Sequence, residues 1–90
     1  MTPENAEILA IEALGWLAGE PDQLQRFLNL SGLDAATLRD AAGTLALNLA
    51  VLDFFLGHEP DLLRFCESLG IDPADPARAR HALAPDVMEA

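Results

Sequence analysis

The chain has no lysine, and its five arginines stand against fifteen aspartates and glutamates. The formal net charge of −10 surrounds these 90 residues with a broadly negative electrostatic field. Such a field opposes binding to DNA, to RNA or to an anionic membrane surface. It suits a basic protein partner, and it also promotes solubility without any partner. We therefore expect neither a nucleic acid nor a membrane to be the binding partner.

Cysteine is nearly absent as well, since Cys66 stands alone. No disulfide can form within the chain, which is compatible with a reducing compartment. The first apolar segment follows no lysine or arginine, which argues against a secretory or transit peptide. The longest apolar run falls short of the roughly 20 residues that a membrane span needs. We expect a cytoplasmic protein.

Signals for β-structure are missing too. No segment alternates apolar and polar residues, and no hairpin dipeptide separates β-branched runs. With 51% hydrophobic residues the chain is too apolar for disorder, and its length suits one domain. We predict an all-α fold, a compact bundle of five or six short helices over residues 1–90, with a frayed tail from about residue 85.

The segment Thr44–Gly57, TLALNLAVLDFFLG, is the most apolar stretch of the chain. Between Leu45 and Leu56 only Asn48 and Asp53 are polar, and a helical wheel places them on roughly opposite sides. A helix that is apolar nearly all round belongs inside a protein. We therefore predict a central helix, closed by Gly57, with the other helices packed around it.

Helix-capping signals place the other helices. The predicted starts are Pro3, Pro21, Asp34 (capping a short helix from Ala35 to Ala42), Pro60 and Pro76, and the predicted ends are Gly19, Gly32, Gly43, Gly70 and a residue before Pro85. Most of the predicted core residues recur at helical spacing. They are Leu9, Ala13, Trp16, Leu17, Leu24, Phe27, Leu28, Leu38, Leu49, Leu52, Phe55, Leu56, Leu62, Phe65, Cys66 and Leu69.

The two halves of the chain resemble each other. Glu20-Pro21-Asp22 recurs about 39 residues later as Glu59-Pro60-Asp61, and Gly32-Leu33-Asp34 recurs as Gly70-Ile71-Asp72. Helix caps and apolar stripes can also resemble each other by chance. If the repeat is real, it predicts two like helical hairpins packed face to face, with the first and fourth helices at the centre.

Asp53 is the most informative single residue for a possible site. It lies near the C-terminus of the most apolar helix, where the helix dipole disfavours an anion, and a buried unpaired carboxylate would be costly. It therefore either reaches the surface or forms a buried ion pair, for which Arg26 and Arg64 are the candidates. As a catalytic acid it would need a raised pKa, and no second carboxylate or histidine can be placed beside it.

The sequence gives little support for other kinds of catalytic or ligand-binding site. Cys66 lies at the position in the apolar stripe of its helix that Leu28 has in the corresponding helix of the first half. This predicts that Cys66 is a small buried apolar residue rather than a nucleophile. The segment His58–Asp61 is too sparse for a metal site, and no phosphate-binding loop or Ser/His/Asp pattern is present. We expect no catalytic residue, no metal ion and no cofactor. A small enzyme that uses Asp53 or Cys66 is one alternative function.

A second alternative is a nucleic-acid-binding regulator. The segment Arg26–Asp40, RFLNLSGLDAATLRD, has the form of a helix-turn-helix, with a glycine-containing turn before a short helix. That short helix offers one base, Arg39, between Asp34 and Asp40, whereas a DNA-binding face gathers several. The net charge of −10 disfavours this function.

The first helix offers a possible docking surface. Ile8 and Ile11 form a second apolar edge beside its core face, surrounded by Glu4, Glu7 and Glu12. An apolar patch with a charged rim is a usual form for a contact surface. The alternative is that the last helix covers both isoleucines. We predict a non-catalytic protein-interaction module, whose partner is an unidentified protein with basic residues or a second copy of the chain.

Two segments, EALGWLAGEPDQLQRFLNLSGLDAATLR and VLDFFLGHEPDLLRFCESLGIDP, resemble a family of small acidic bacterial proteins. It is the domain-of-unknown-function family 3572, found chiefly in alphaproteobacteria. The resemblance covers nearly the whole chain and is carried by the WL, RFL, SGLD, LR and VLDF pieces together. It implies a compact all-helical bacterial protein, and it brings no activity, ligand or catalytic residue.

Overall fold

The computed structural model describes residues 1–85 and forms six α-helices. They are α1 (Pro3–Ala18), α2 (Pro21–Ser31), α3 (Ala35–Ala41), α4 (Leu45–Leu56), α5 (Glu59–Leu69) and α6 (Asp75–Leu83). No strand occurs in this range, so the all-α prediction is confirmed. The frayed tail predicted from about residue 85 falls almost entirely outside the described residues.

The helix ends follow the capping signals. The side chains of Thr2, Asp34 and Thr44 each accept a hydrogen bond from the backbone N–H three residues further on. Gly32 and Gly70 end α2 and α5 in the left-handed conformation, with φ of 76° and 67°. The predicted helix bounds are therefore correct to within about one residue.

α4 is the centre of the fold, because it packs against each of the other five helices. Its inward face buries Leu47, Asn48, Val51, Leu52, Phe54 and Phe55. Its outward face is not enclosed, since Leu45 and Leu56 keep 53% and 42% of their surface exposed. The predicted central position of α4 is confirmed. The prediction that α4 is buried on all sides is wrong, because Asp53 on its outward face is exposed to solvent.

Aromatic rings connect the helices across the core. The Trp16 ring of α1 lies 5.7 Å from Phe55 of α4 and 6.2 Å from Phe65 of α5, measured between centroids. The Phe55 and Phe65 rings lie 5.0 Å apart. Phe27 of α2 joins this group edge-on through Phe54, at 5.5 Å. Pairs at these distances add to the burial energy of each ring, so the group holds four helices together.

Three members of the predicted core are wrong. Leu49 is only partly buried and does not pack against the buried cluster. Leu56 is exposed because it lies on the outward face of α4, one turn beyond Asp53. Leu69, 46% exposed, is the last residue of α5, where the chain turns away through Gly70. The prediction also missed six buried apolar residues, half of them alanines: Ala6, Ala10, Leu47, Val51, Phe54 and Ala79.

α6 packs most extensively against α1 and α4, where it buries Pro76 and Ala79. It meets the inward side of α1, so Ile8 and Ile11 stay 56% and 51% exposed. The expectation that the last helix covers both isoleucines is therefore wrong. α1 and α4 pack together at the centre, as the repeat hypothesis predicted.

Candidate functional site

One side of α1 faces away from the rest of the protein. At about 100° per residue, Glu4, Ile8, Ile11 and Gly15 form a single outward stripe, and Glu7 and Glu12 flank it. All six are exposed. We call these six residues the α1 outer face. The opposite side of the helix buries Ala6, Leu9, Ala10, Ala13 and Leu17.

The acids of the α1 outer face meet no cation in the part of the chain that the structure describes. No arginine or histidine lies within salt-bridge distance of Glu4, Glu7 or Glu12. Four arginines bind other acids: Arg26 with Asp61, Arg64 with Glu20 and Asp61, Arg78 with Asp72 and Asp75, and Arg80 with Asp53. The α1 outer face therefore combines exposed apolar groups with uncompensated negative charge.

Of the two alternatives for Asp53, a surface position is confirmed and a buried pair with Arg26 or Arg64 is wrong. Its side chain is 54% exposed and binds Arg80 of α6, with 2.7 Å between Nε and Oδ1 and 3.3 Å between Nη2 and Oδ2. The physical reason is that Asp53 lies on the outward face of α4, which an arginine from α6 can reach. An exposed pair of this kind adds little stability and joins α4 to α6.

Arg26 and Arg64 instead meet at Asp61, whose side chain is only 7% exposed. The Arg26 Nη1 atom lies 3.0 Å from Oδ2, and the Arg64 Nη1 atom lies 3.8 Å from Oδ1. Arg64 also donates to Glu20 at 3.0 Å and lies 5.5 Å above the Trp16 ring. The sequence offered one signal, the Asp61–Arg64 spacing of three. It could not show that α2 brings Arg26 to the same carboxylate.

An apolar groove runs beside α4, between it and the segment formed by α2 and α3. It consists of two hollows of about 280 and 290 Å³ that share Ser31 and Ala50. We call it the α4 groove; it is lined by Phe27, Leu30, Ser31, Leu33, Ala41, Thr44, Ala46, Leu47, Ala50, Asp53, Phe54 and His58. Sequence reasoning missed it because a groove depends on how neighbouring helices are spaced.

His58 lies in the hollow nearer the end of α4. Its ring stacks on Phe54 at 4.6 Å, and its Nδ1 lies 2.8 Å from the carbonyl oxygen of the same residue. Because a carbonyl oxygen only accepts, the Nδ1–H group is the donor of this hydrogen bond. The groove is otherwise almost wholly apolar, apart from Asp53, Thr44 and Ser31.

Cys66 is buried within the core, where the sequence placed it. Burial raises the pKa of its thiol, and the nearby carboxylates of Asp75 and Asp72 raise it further. A nucleophilic cysteine needs the opposite change, because the thiolate is the reactive form. These surroundings favour an inert thiol.

The helix-turn-helix segment is formed by α2, the turn 32–34 and α3. Asp34 caps α3, and its hydrogen bonds with Thr37 lower the pKa of its carboxyl group. Arg39 is exposed on α3 between Asp34 and Asp40, both also exposed. α3 and its N-cap together thus present more negative than positive charge to solvent.

Within residues 1–85, no three histidine, cysteine, aspartate or glutamate side chains gather closely enough to hold a metal ion. No helix of that same part is both long enough and apolar enough to cross a membrane.

The chain matches the model of a known protein family. The family described as "Protein of unknown function (DUF3572)" matches residues 3–86, which is almost the whole chain. The chain therefore belongs to this family. No curated protein and no solved structure matched it.

Proposed function

We propose that this member of the DUF3572 family is a non-catalytic protein-binding module and that the α1 outer face is its docking surface. The observation that carries the proposal is the exposure of Ile8 and Ile11, more than half of each, beside glutamates that meet no cation within residues 1–85. Single exposed apolar residues are ordinary. Two at a spacing of three, inside an acidic rim, resemble the core and rim of an interface.

The charge of this face favours a basic partner over a second copy of the chain. Two copies packed through α1 would bring Glu4, Glu7 and Glu12 near the same three acids of the other copy, and like charges repel across an interface. A partner with arginine or lysine around an apolar patch would pair with them instead. Association should then weaken as salt rises.

The surroundings of the two candidate catalytic residues support a non-catalytic role. The Cys66 thiol has a raised pKa, and Asp53 is an exposed carboxylate bound to Arg80. Neither has the activated environment that a nucleophile or a general acid needs. Binding should therefore survive the substitutions Asp53→Asn and Cys66→Ser.

Site-specific photo-crosslinking tests the proposal directly. A photoreactive side chain is placed at Ile11, and as a matched control at Leu63, which is similarly exposed on α5 (47%). We expect a crosslinked protein band in the source cells from position 11 and none from position 63. The double substitution of Ile8 and Ile11 by serine should abolish binding of the captured partner at unchanged fold.

Three results would contradict the proposal. Crosslinks from position 63 alone would show that the interface is not the α1 outer face. The absence of crosslinks from both positions would contradict a protein-binding role. A band at twice the mass of the chain would show self-association in place of a basic partner.

A further inference from the structure

Gly15 lies within the α1 outer face, inside the helix and four residues before the C-cap, Gly19. Glycine is the least favourable residue in a helix interior after proline. A Cβ atom added at Gly15 would meet no heavy atom within 4 Å. Packing within the described residues therefore does not require glycine here, and alanine would make a more stable helix.

A close approach by a partner protein would require glycine at this position. The distance between the axes of two packed helices depends on the side chains at their contact, and glycine allows the closest contact. We infer that α1 binds an amphipathic α-helix of its partner, that this helix crosses α1 at Gly15, and that its apolar stripe is flanked by arginine or lysine. This inference rests on the proposed function and names the geometry and chemistry of the partner.

The shape of the α1 outer face selects a helix as the bound element. Glu4 to Gly15 spans about 16 Å along one straight ridge, at the rise of 1.5 Å per residue. A helix has no free backbone groups along its sides, so a strand cannot extend it as it would extend a sheet. An amphipathic helix can place its apolar stripe over Ile8 and Ile11 and its backbone against Gly15.

The glutamates of the α1 outer face determine which charged residues suit the partner helix. Glu7 and Glu12 flank the stripe on opposite sides, and Glu4 lies at its N-terminal end, so basic residues on both edges of the partner stripe can reach them. The α4 groove gives no such preference, because Asp53, the one acid in it, is already bound to Arg80. Charge complementarity therefore favours the α1 outer face.

Two synthetic helical peptides of equal length serve as probes for the full chain. Both carry the same leucine stripe; one has arginine and lysine along its edges, the other glutamate. Binding is followed at low and high salt by backbone NMR shifts of the isotope-labelled protein. We expect the basic peptide to shift the amides from Ile8 to Gly15 and to bind at least tenfold more weakly at high salt, and the acidic peptide to cause no shift there.

Substitutions at Gly15 test the crossing point. Gly15→Ala should raise the melting temperature by a few degrees, which shows that the fold is intact. Gly15→Leu should keep the fold, because the site is open, and should weaken binding of the basic peptide at least tenfold. The matched control is Ala77→Leu, which enlarges an exposed small residue of α6 and should leave binding unchanged.

The outcomes separate this inference from the proposed function. If Gly15→Leu binds like the wild type while serine at Ile8 and Ile11 abolishes binding, the crossing at Gly15 is overturned and the docking surface stands. If none of these substitutions matters, or if the shifts lie along the α4 groove, both are overturned. Equal binding of the acidic and basic peptides, or no binding of the basic peptide at low salt, contradicts the inference that the partner helix carries arginine or lysine along its apolar stripe.

Discussion

The first half of the chain, α1 to α3, and the second half, α4 to α6, begin and end their first two helices in similar ways. Thr2 and Thr44 cap α1 and α4 with φ of −78° and −76°. Gly32 and Gly70 then end α2 and α5, each 11 residues long, in the left-handed conformation. The residues that begin and end the first two helices are therefore similar in both halves.

The third helix of each half meets a different environment. α3 buries no side chain completely and packs only against α4 to any extent, whereas α6 packs against α1 and α4 and buries Pro76 and Ala79. One flank of α4 is therefore covered by a firmly packed helix, and the other keeps the α4 groove. The two helices also begin differently, because the Asp34 side chain caps α3 whereas no side chain caps α6. The likeness of the two halves is therefore limited to their first two helices.

The largest expected effect comes from the equivalent phenylalanines of the two halves, Phe27 and Phe65. Either one replaced by alanine should lower the free energy of unfolding by about 3–5 kcal/mol. Phe65 should lie at the upper end, because its ring contacts those of Trp16 and Phe55, whereas Phe27 contacts Phe54 and lines the α4 groove. Urea unfolding measures both losses. A melting temperature within two or three degrees of wild type for either variant would refute its place in the core.

The features that could be predicted from sequence were local ones. Caps such as Thr44 and left-handed glycines such as Gly70 determine helix ends within a few residues, so the bounds were nearly correct. Apolar spacing found the stripes, but it could not show where each stripe leaves the core, and Leu56 and Leu69 were therefore misplaced. Small residues such as Ala79 carry no strong apolar signal, although they allow α6 to pack closely.

The ion pairs of the site depend on tertiary packing, which the sequence did not show. Asp53 was expected either to reach the surface or to form a buried pair with Arg26 or Arg64. It reaches the surface, and there it meets Arg80 because α6 lies beside α4. Arg26 lies four residues after Asp22, an ordinary helical pairing distance, and yet binds Asp61 of another helix. For the α1 outer face, the sequence identified every residue except Gly15, and only the packing of α6 showed that these residues stay exposed.

A smaller effect should separate Asp61 from its counterpart in the repeat, Asp22. Both lie in the first turn of their helices, so replacement by asparagine removes a similar helix-dipole term. Only Asp61 is buried and joined to two arginines. Asp61→Asn should cost about 1–3 kcal/mol, and Asp22→Asn about 0.5 kcal/mol or less. Equal losses in denaturant unfolding would show that the shared carboxylate adds nothing to the joining of α2 and α5.

The smallest expected effect compares the two left-handed glycines that end α2 and α5, Gly32 and Gly70. A Cβ at either position meets no atom within 4 Å, so replacement by alanine adds backbone strain alone, of about 1 kcal/mol. After Gly70 the chain must enter α6, which is held between α1 and α4, so the strain cannot relax and the full loss should appear. After Gly32 it enters α3, which buries no side chain completely and can shift, so the loss should be smaller. Urea unfolding of the two variants measures this difference. If Gly32→Ala costs as much as Gly70→Ala, α3 is held as firmly as α6, and the contrast between the two halves is wrong.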